Sequence, residues 1–402
     1  MGRDRTHFRQ AAPGSDASDE VFHLGTRPLL DELCAAYERG WQPADVLHVT
    51  ARSGDATDVP LAAAVVLYDA RRSHAADRAP VDWVQQLGVI AERCPGAVRI
   101  AERVPPDAPV RDLGAELLRE LPGLSRFQVM GLAFAWKYLP RFAPLLPPPS
   151  QWPPLRPAPT AGESLCPDPK VLARIRGLLA KAESTDYPEE AETLTAKAQE
   201  LMTRYAIGAA LLTGADTGAA RARRVHVDNP YAKEKVLLLT AIGNANRTRT
   251  VWFTKVGIAT IVGADVDLEQ VEVLFTSLSL QASRAMRAAG TEGRTGGATG
   301  TEGRTGGAAT AFRRAFLAGY AYRIGERLRQ ADVCATAAAA ADASMAVTQL
   351  APLLARRSEA VDSEFRRLFP TTRSTRTRSV DAEGWFAGRD AAESAFLDPG
   401  SP

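Results

Sequence analysis

Apolar residues recur at helical spacing along most of this chain. The sharpest case runs from Lys170 to Ile207. Val171, Leu172, Ile175, Leu178, Leu179 and Ala182 fall on one face of a 3.6-residue helix. A second stripe follows at Ala191, Leu194, Ala198, Leu201, Met202 and Tyr205. Between them lies the turn Ser184-Thr185-Asp186-Tyr187-Pro188. Pro188 suits a first helical turn because it has no amide proton to leave unsatisfied, and Thr185 or Asp186 can cap the amides that are free. Two amphipathic stripes joined by a short turn predict an antiparallel helical hairpin over 170–207. Its expected core is Leu172, Ile175, Leu178, Leu179, Leu194, Leu201, Met202 and Tyr205.

The same periodicity predicts a helical domain over 21–142, after a polar segment 1–20 expected to be disordered. Leu29, Leu30, Leu33, Cys34 and Tyr37 form one stripe, which Gly40 stops. A helix beginning near Pro43 follows, then one over Leu61–His74 and a shorter one from Trp83. Leu113–Leu121 and Phe127–Tyr138 complete the set. Proline then becomes too dense for helix or central strand, so 143–169 reads as a semi-rigid linker.

Beyond the hairpin the period changes. Arg223–Asp228, Thr250–Phe253 and Gly257–Val262 read as strands, with a helix over Lys233–Arg247. Asp265 is the expected N-cap of a long helix through Leu268–Ala289. The result is an α+β domain at 221–331 with about three strands. The ten-residue duplication GTEGRTGGAT, GTEGRTGGAA at 290–309 is too polar and glycine-rich to pack and reads as a flexible insertion. Phe312–Gln330 resumes as helix. Further helices fill 343–398 around a basic tract at 371–379. The fold class expected is α+β, mainly helical.

Ile175, Arg176, Leu178, Leu179, Ala182 and Ser184, then Glu190, Ala191, Lys197, Ala198, Gln199, Leu201, Met202 and Tyr205, form a recognisable pattern. It resembles domain of unknown function 2786, a helical-hairpin family of bacteria and phages. Thr195 departs from it, where that family has a small apolar residue. Residues from about 224 to 331 resemble the segment that follows this hairpin in actinobacterial proteins. The resemblance implies an architecture and no reaction.

Composition narrows the chemistry. A chain of 402 residues with 45% hydrophobic content can bury substantial cores. A net charge of +2 implies neither nucleic acid nor membrane as a partner. Cys34, Cys94, Cys166 and Cys334 are scattered, without C-x-x-C or a nearby histidine at zinc-ligand spacing. That pattern fits separate reduced thiols. The polar start of the chain, and the lack of an apolar run near bilayer length, lead to the expectation of a cytoplasmic protein without a membrane partner. No cofactor motif is present: no phosphate loop, no dinucleotide fingerprint and no nucleophile elbow.

Two candidate constellations remain. Arg221, Arg223, Arg224, Lys233, Lys235, Arg247, Arg249 and Lys255 face only Asp228 and Glu234 in the same stretch, with Trp252 and Phe253 among them. Cations neutralise phosphates and aromatics stack on bases, so this stretch is a candidate nucleic-acid surface. The bland alternative is a solvated face with core aromatics. His226 and Asp228 share one side of a strand, and Asp265 and Asp267 open a helix. Together they would make a hydrolase-type or metal site if they converged; separately they are an edge-strand face, an N-cap and a dipole-favoured acid. The leading expectation is a binding or adaptor protein with a protein or nucleic-acid partner. The alternative is an enzyme centred on those four residues.

Overall fold

The structure, a computed structural model, describes residues 15–53, 58–154, 169–184, 197–198, 200–204, 220–295, 306–342, 347–373 and 381–393. The chain divides into two compact units, Met1–Ala161 and Gly162–Pro402. It is mainly helical, with a small three-stranded antiparallel sheet in the second unit.

The first unit is all helix: α1 (Ser15–Glu38), α2 (Pro43–Ser53), α3 (Asp58–Arg72), α4 (Ala75–Arg78), α5 (Val81–Arg93), α6 (Pro95–Arg103), α7 (Val110–Glu120) and α8 (Arg126–Lys137). Residues 15–20, expected to be disordered, belong to α1. Helix α3 is buried along its whole middle, from Leu61 to Asp69, and packs against α2, α5 and α6. Helix α1 lies against α7 and α8. Trp136 is buried, and its indole donates to the Thr50 hydroxyl at 3.1 Å. Helices α4 and α6 were not anticipated. Pro95-Gly96 reads as a turn in sequence, yet Pro95 occupies the first helical turn, where a missing amide proton does no harm.

The proline-rich segment requires a correction, because its first half is not a spacer. Within it the Ser150 amide and hydroxyl donate to the Glu38 carboxylate at 3.0 and 2.6 Å. Just before it the Phe142 amide donates to the Arg39 carbonyl at 2.9 Å and the Trp41 indole to the Pro140 carbonyl at 2.7 Å. Trp152 is buried edge-on against Trp83, with centroids 5.2 Å apart. Gly40, at φ +91°, lets this strap pass: a Cβ there would stand 2.5 Å from the Phe142 oxygen. The remainder, 155–168, lies outside the described residues.

The second unit begins with α9 (Pro169–Ser184) and α10, described at 197–198 and 200–204. There follow β1 (Arg221–His226), α11 (Ala232–Ala245), β2 (Arg249–Phe253), β3 (Ile258–Gly263), α12 (Asp265–Thr295), α13 (Gly306–Asp342), α14 (Val347–Leu368) and α15 (Ala382–Glu393). The sheet order is β1-β3-β2, all antiparallel. Strand β3 is buried on both faces. Ala259 and Ile261 point into the main core with α11, α12 and α13. Ile258, Thr260 and Val262 alternate to the other side, where α14 lies against β2 and β3.

Two further boundaries move. Residues 290–295 of the glycine-rich duplication end α12, and 306–309 begin α13; 296–305 lie outside the described residues. The alanine-rich run at 335–341 is the end of α13. The helices beyond 343 are not an appendage. Helix α15 packs along α13 and contributes Ala392 to the common core. Gly384 and Gly388 of α15 meet the Phe312 and Phe316 carbonyls of α13, and Gly319 of α13 meets the Trp385 carbonyl. Small residues at this four-residue spacing bring two helix backbones into direct contact. A Cβ at Gly388 or Gly319 would overlap the facing oxygen.

Candidate functional site

The hairpin does not stand apart. Ile175 and Leu179 of α9 and Ala198 and Met202 of α10 are buried in the same cluster as Leu268, Val271, Leu274 and Leu278 of α12. Leu178 and Leu201 are partly buried against it. The buried side-chain amide of Gln270 on α12 donates to the Met202 carbonyl at 3.0 Å, which ties α10 down. The side chain of Leu172, and Leu194 and Tyr205, lie outside the described residues. The hairpin's apolar stripes therefore serve the second unit as a whole.

Helix α9 leaves its other side in solvent, with Arg174, Arg176, Gly177, Ala180 and Lys181 exposed. Between α9 and α12 lies an open groove of about 290 Å³, lined by Arg176, Leu179, Ala180, Glu272, Val273, Thr276 and Ser277. Its floor is apolar through Leu179 and Val273, and its rims are polar. Further along α12, Leu280, Arg284 and Arg287 are exposed. They continue the outward stripe of Val273 and Thr276 at helical spacing.

The cations expected as one basic surface are divided by the sheet. Registers pair Arg221 with Gly263 and Arg223 with Ile261, which sets both toward α12. There Arg221 meets Asp265 at 3.3 Å and Arg223 meets Glu272 at 3.0 Å. Arg224 and Arg249 alternate to the opposite face, where Arg249 meets Asp362 of α14 at 2.7 Å. Arg247 is mostly buried and paired with Asp332 of α13 at 3.0 Å. Lys235 donates to the Asp228 carbonyl at 2.9 Å, and burial lowers its pKa. Lys233 and Lys255 are exposed. The aromatics follow the strands: Trp252 packs on the main core, and Phe253 packs on Phe369 at 5.9 Å. The expectation of a single surface fails because the neutralising acids come from α12, α13 and α14, remote in sequence.

The four-residue enzyme site does not assemble either. His226 and Arg221 end opposite extremities of β1, and Asp265 pairs with Arg221. His226 is thus about 17 Å from Arg221 along the strand, at roughly 3.3 Å per residue, at the end away from Asp265. Asp228 is exposed beyond the strand end. Asp265 lies within the first helical turn, and the Leu268 amide bonds to the Ala264 carbonyl. Among the described residues no group of three or more His, Cys, Asp or Glu is placed to hold a metal ion.

Asp267 is the residue whose role was misjudged. It is buried to 0% exposure on the α14 side of α12, 3.5 Å from the Arg357 guanidinium. Burial raises its pKa, against the opposing pull of Arg357 and Arg247, while Asp332 adds to the rise. A D-x-D at a helix start carries no sign that one acid will be sealed under a helix ninety residues later. In the first unit Cys34 sits 3.6 Å from buried Asp69, and burial pushes this thiol up to about 12. A thiol so placed is a poor nucleophile.

No helix among the described residues is long and apolar enough to cross a membrane. Residues 170–208 match a family model described as a protein of unknown function, DUF2786. No curated protein and no solved structure matches the chain.

Proposed function

We propose that the second unit is a binding module, not a catalyst, and that it contacts nucleic-acid phosphates along the cationic rim of the α9–α12 groove. One observation carries the reading. The hairpin pattern residues Ile175, Leu179, Ala198 and Met202 are buried, whereas its arginine, Arg176, is exposed on the rim of an open groove. A structural role accounts for the buried four, whereas Arg176, beside the partly buried Glu269 carboxyl, stays exposed and able to meet a ligand. Arg284 and Arg287 are exposed further along α12, and Arg174 and Lys181 add positive charge around the rest of α9. Cations on such a surface bind phosphate by releasing counterions, without base readout. The protein is read as a cytoplasmic bacterial one, in keeping with its scattered cysteines and with the bacterial and phage family that the hairpin pattern resembles.

The test is a salt series with the full chain and short DNA and RNA duplexes and single strands. Affinity should fall steeply as salt rises, and Arg174→Glu with Arg176→Glu should weaken binding about tenfold or more. Affinity that ignores salt, or is unchanged in the double variant, rejects the surface.

A further inference from the structure

Helix α8 of the first unit carries a second surface, unrelated to the groove. Its inner face, Val129, Leu132, Ala133 and Trp136, is buried. Its outer face is apolar as well. Phe127 is 91% exposed, Met130 39%, Phe134 64% and Tyr138 66%. Intervals of three and four residues place these four in one row along the helix, about 17 Å long at 1.5 Å per residue. Together they expose on the order of 500 Å², at the upper end of what a soluble monomer leaves in water.

The row is rigid. A capping box fixes the start of α8: the Gln128 amide donates to the Ser125 hydroxyl, and the Ser125 amide to the Gln128 side chain at 2.9 Å. The rings of Phe134 and Tyr138 lie 4.6 Å apart. Between Met130 and Phe134 sits Gly131, and among the described residues no atom beyond its chain neighbours and the surrounding helix backbone lies within 4 Å of where its Cβ would be. That gap is a notch into which a facing side chain fits.

Charge identifies what the row receives. Arg126, Lys137 and Arg141 flank it and are exposed. No Asp or Glu occurs anywhere from Leu121 to Gly162. A second copy of α8 laid antiparallel would set Arg126 against Lys137 and Arg141, like against like. We infer that the outer face of α8 receives an amphipathic helix of a partner protein whose apolar stripe is bordered by Asp and Glu. The three-to-four spacing of the row is that of a helix–helix seam, with the aromatics as anchors and the cations selecting the partner's sign.

The experiment uses the full chain and labelled synthetic peptides of about 18 residues, long enough for a marginal helix. One peptide places Leu at positions i, i+3, i+4 and i+7 with Glu elsewhere. A second has the same composition with the leucines out of period. A third replaces Glu by Lys. The first should bind with a saturable anisotropy change, and the others about tenfold more weakly or not at all. Phe127→Ser with Phe134→Ser should abolish binding without unfolding the unit, since both side chains are already in solvent. Lys137→Glu with Arg141→Glu should shift preference toward the Lys peptide. Equal affinity for the out-of-period peptide overturns the inference. So does tighter association with phosphatidylcholine–phosphatidylglycerol vesicles than with the peptide, which would make the row a membrane contact. Sedimentation showing a dimer that Phe134→Ser dissociates overturns it in favour of self-association.

Discussion

Helices α14 and α15 both close the second unit, and they are held in opposite ways. Helix α15 lies on α13 with glycines at the crossing, so backbone meets backbone there, and the pairs Arg323–Glu393 and Arg389–Glu326 border the contact. Helix α14 lies on the sheet through Arg249–Asp362 and on the start of α12 through Arg357–Asp267, with Phe369 just beyond it on Phe253. The first contact depends at its centre on the absence of atoms, with partly exposed ion pairs only along its border, whereas the second carries a buried charged group. The first should therefore be sensitive above all to side-chain volume and only weakly to salt. The second should respond more strongly to pH.

The largest effect expected is at Gly388. In an open helix Gly→Ala stabilises by about 0.5–1 kcal/mol, because it removes backbone freedom from the unfolded chain. At Gly388 the new methyl would overlap the Phe316 carbonyl, so Gly388→Ala should destabilise by about 3 kcal/mol. Gly177→Ala on exposed α9 should show the ordinary sign. Denaturant midpoints of the full chain compare the two, and equal signs would mean that α15 is not seated on α13. Next in size is Arg357→Met, which leaves Asp267 buried without its nearest cation. A loss of about 2 kcal/mol is expected, below the full value for a buried pair because Arg247 still bears on Asp267.

The pH dependence of the α14 contact follows from Asp267. Its folded pKa is raised, so the folded chain keeps a proton that the unfolded chain releases above about 3.8. Its contribution to stability is complete below that value and declines as pH rises through the raised folded pKa. Stability of the native chain relative to Asp267→Asn should therefore fall from acid toward neutral pH, by urea midpoints on both. A flat difference would show that Asp267 titrates alike in the folded and unfolded chain. The smallest effect belongs to Arg249→Met. Its pair with Asp362 is about a third exposed, so the change should be no more than ~0.5 kcal/mol and should vanish in high salt.

Apolar spacing made most of the helices legible, because each must turn one stripe inward whatever its neighbours are. The strand assignments between 223 and 262 rested on the shift to alternation; Gly257, read as the start of the third strand, instead turns into it at φ +70°. What escaped was of three kinds. Helix α6 is short and opens on Pro-Gly. The strap at 143–154 is ordered by Trp41 and Trp83, far upstream. The spacing Gly384-x-x-x-Gly388 was in plain view but had no meaning until Gly319 was opposite it. Of the candidate sites, Arg221 and Arg223 were recognisable as cations, but Asp265 was read as an N-cap and nothing local marked Glu272 as a partner.

Periodicity along the chain is a local property, so hydrophobic stripes, caps and turns can be read from neighbours within a few residues. Pairing is not local. Whether Arg249 is a ligand-binding cation or half of an ion pair depends on Asp362, more than a hundred positions away. Whether Asp267 is a surface acid or a buried one depends on where α14 comes to rest. The elements of this protein were written in short-range pattern, while the charge of each face, and with it the candidate site, arose only when distant helices were laid against the sheet.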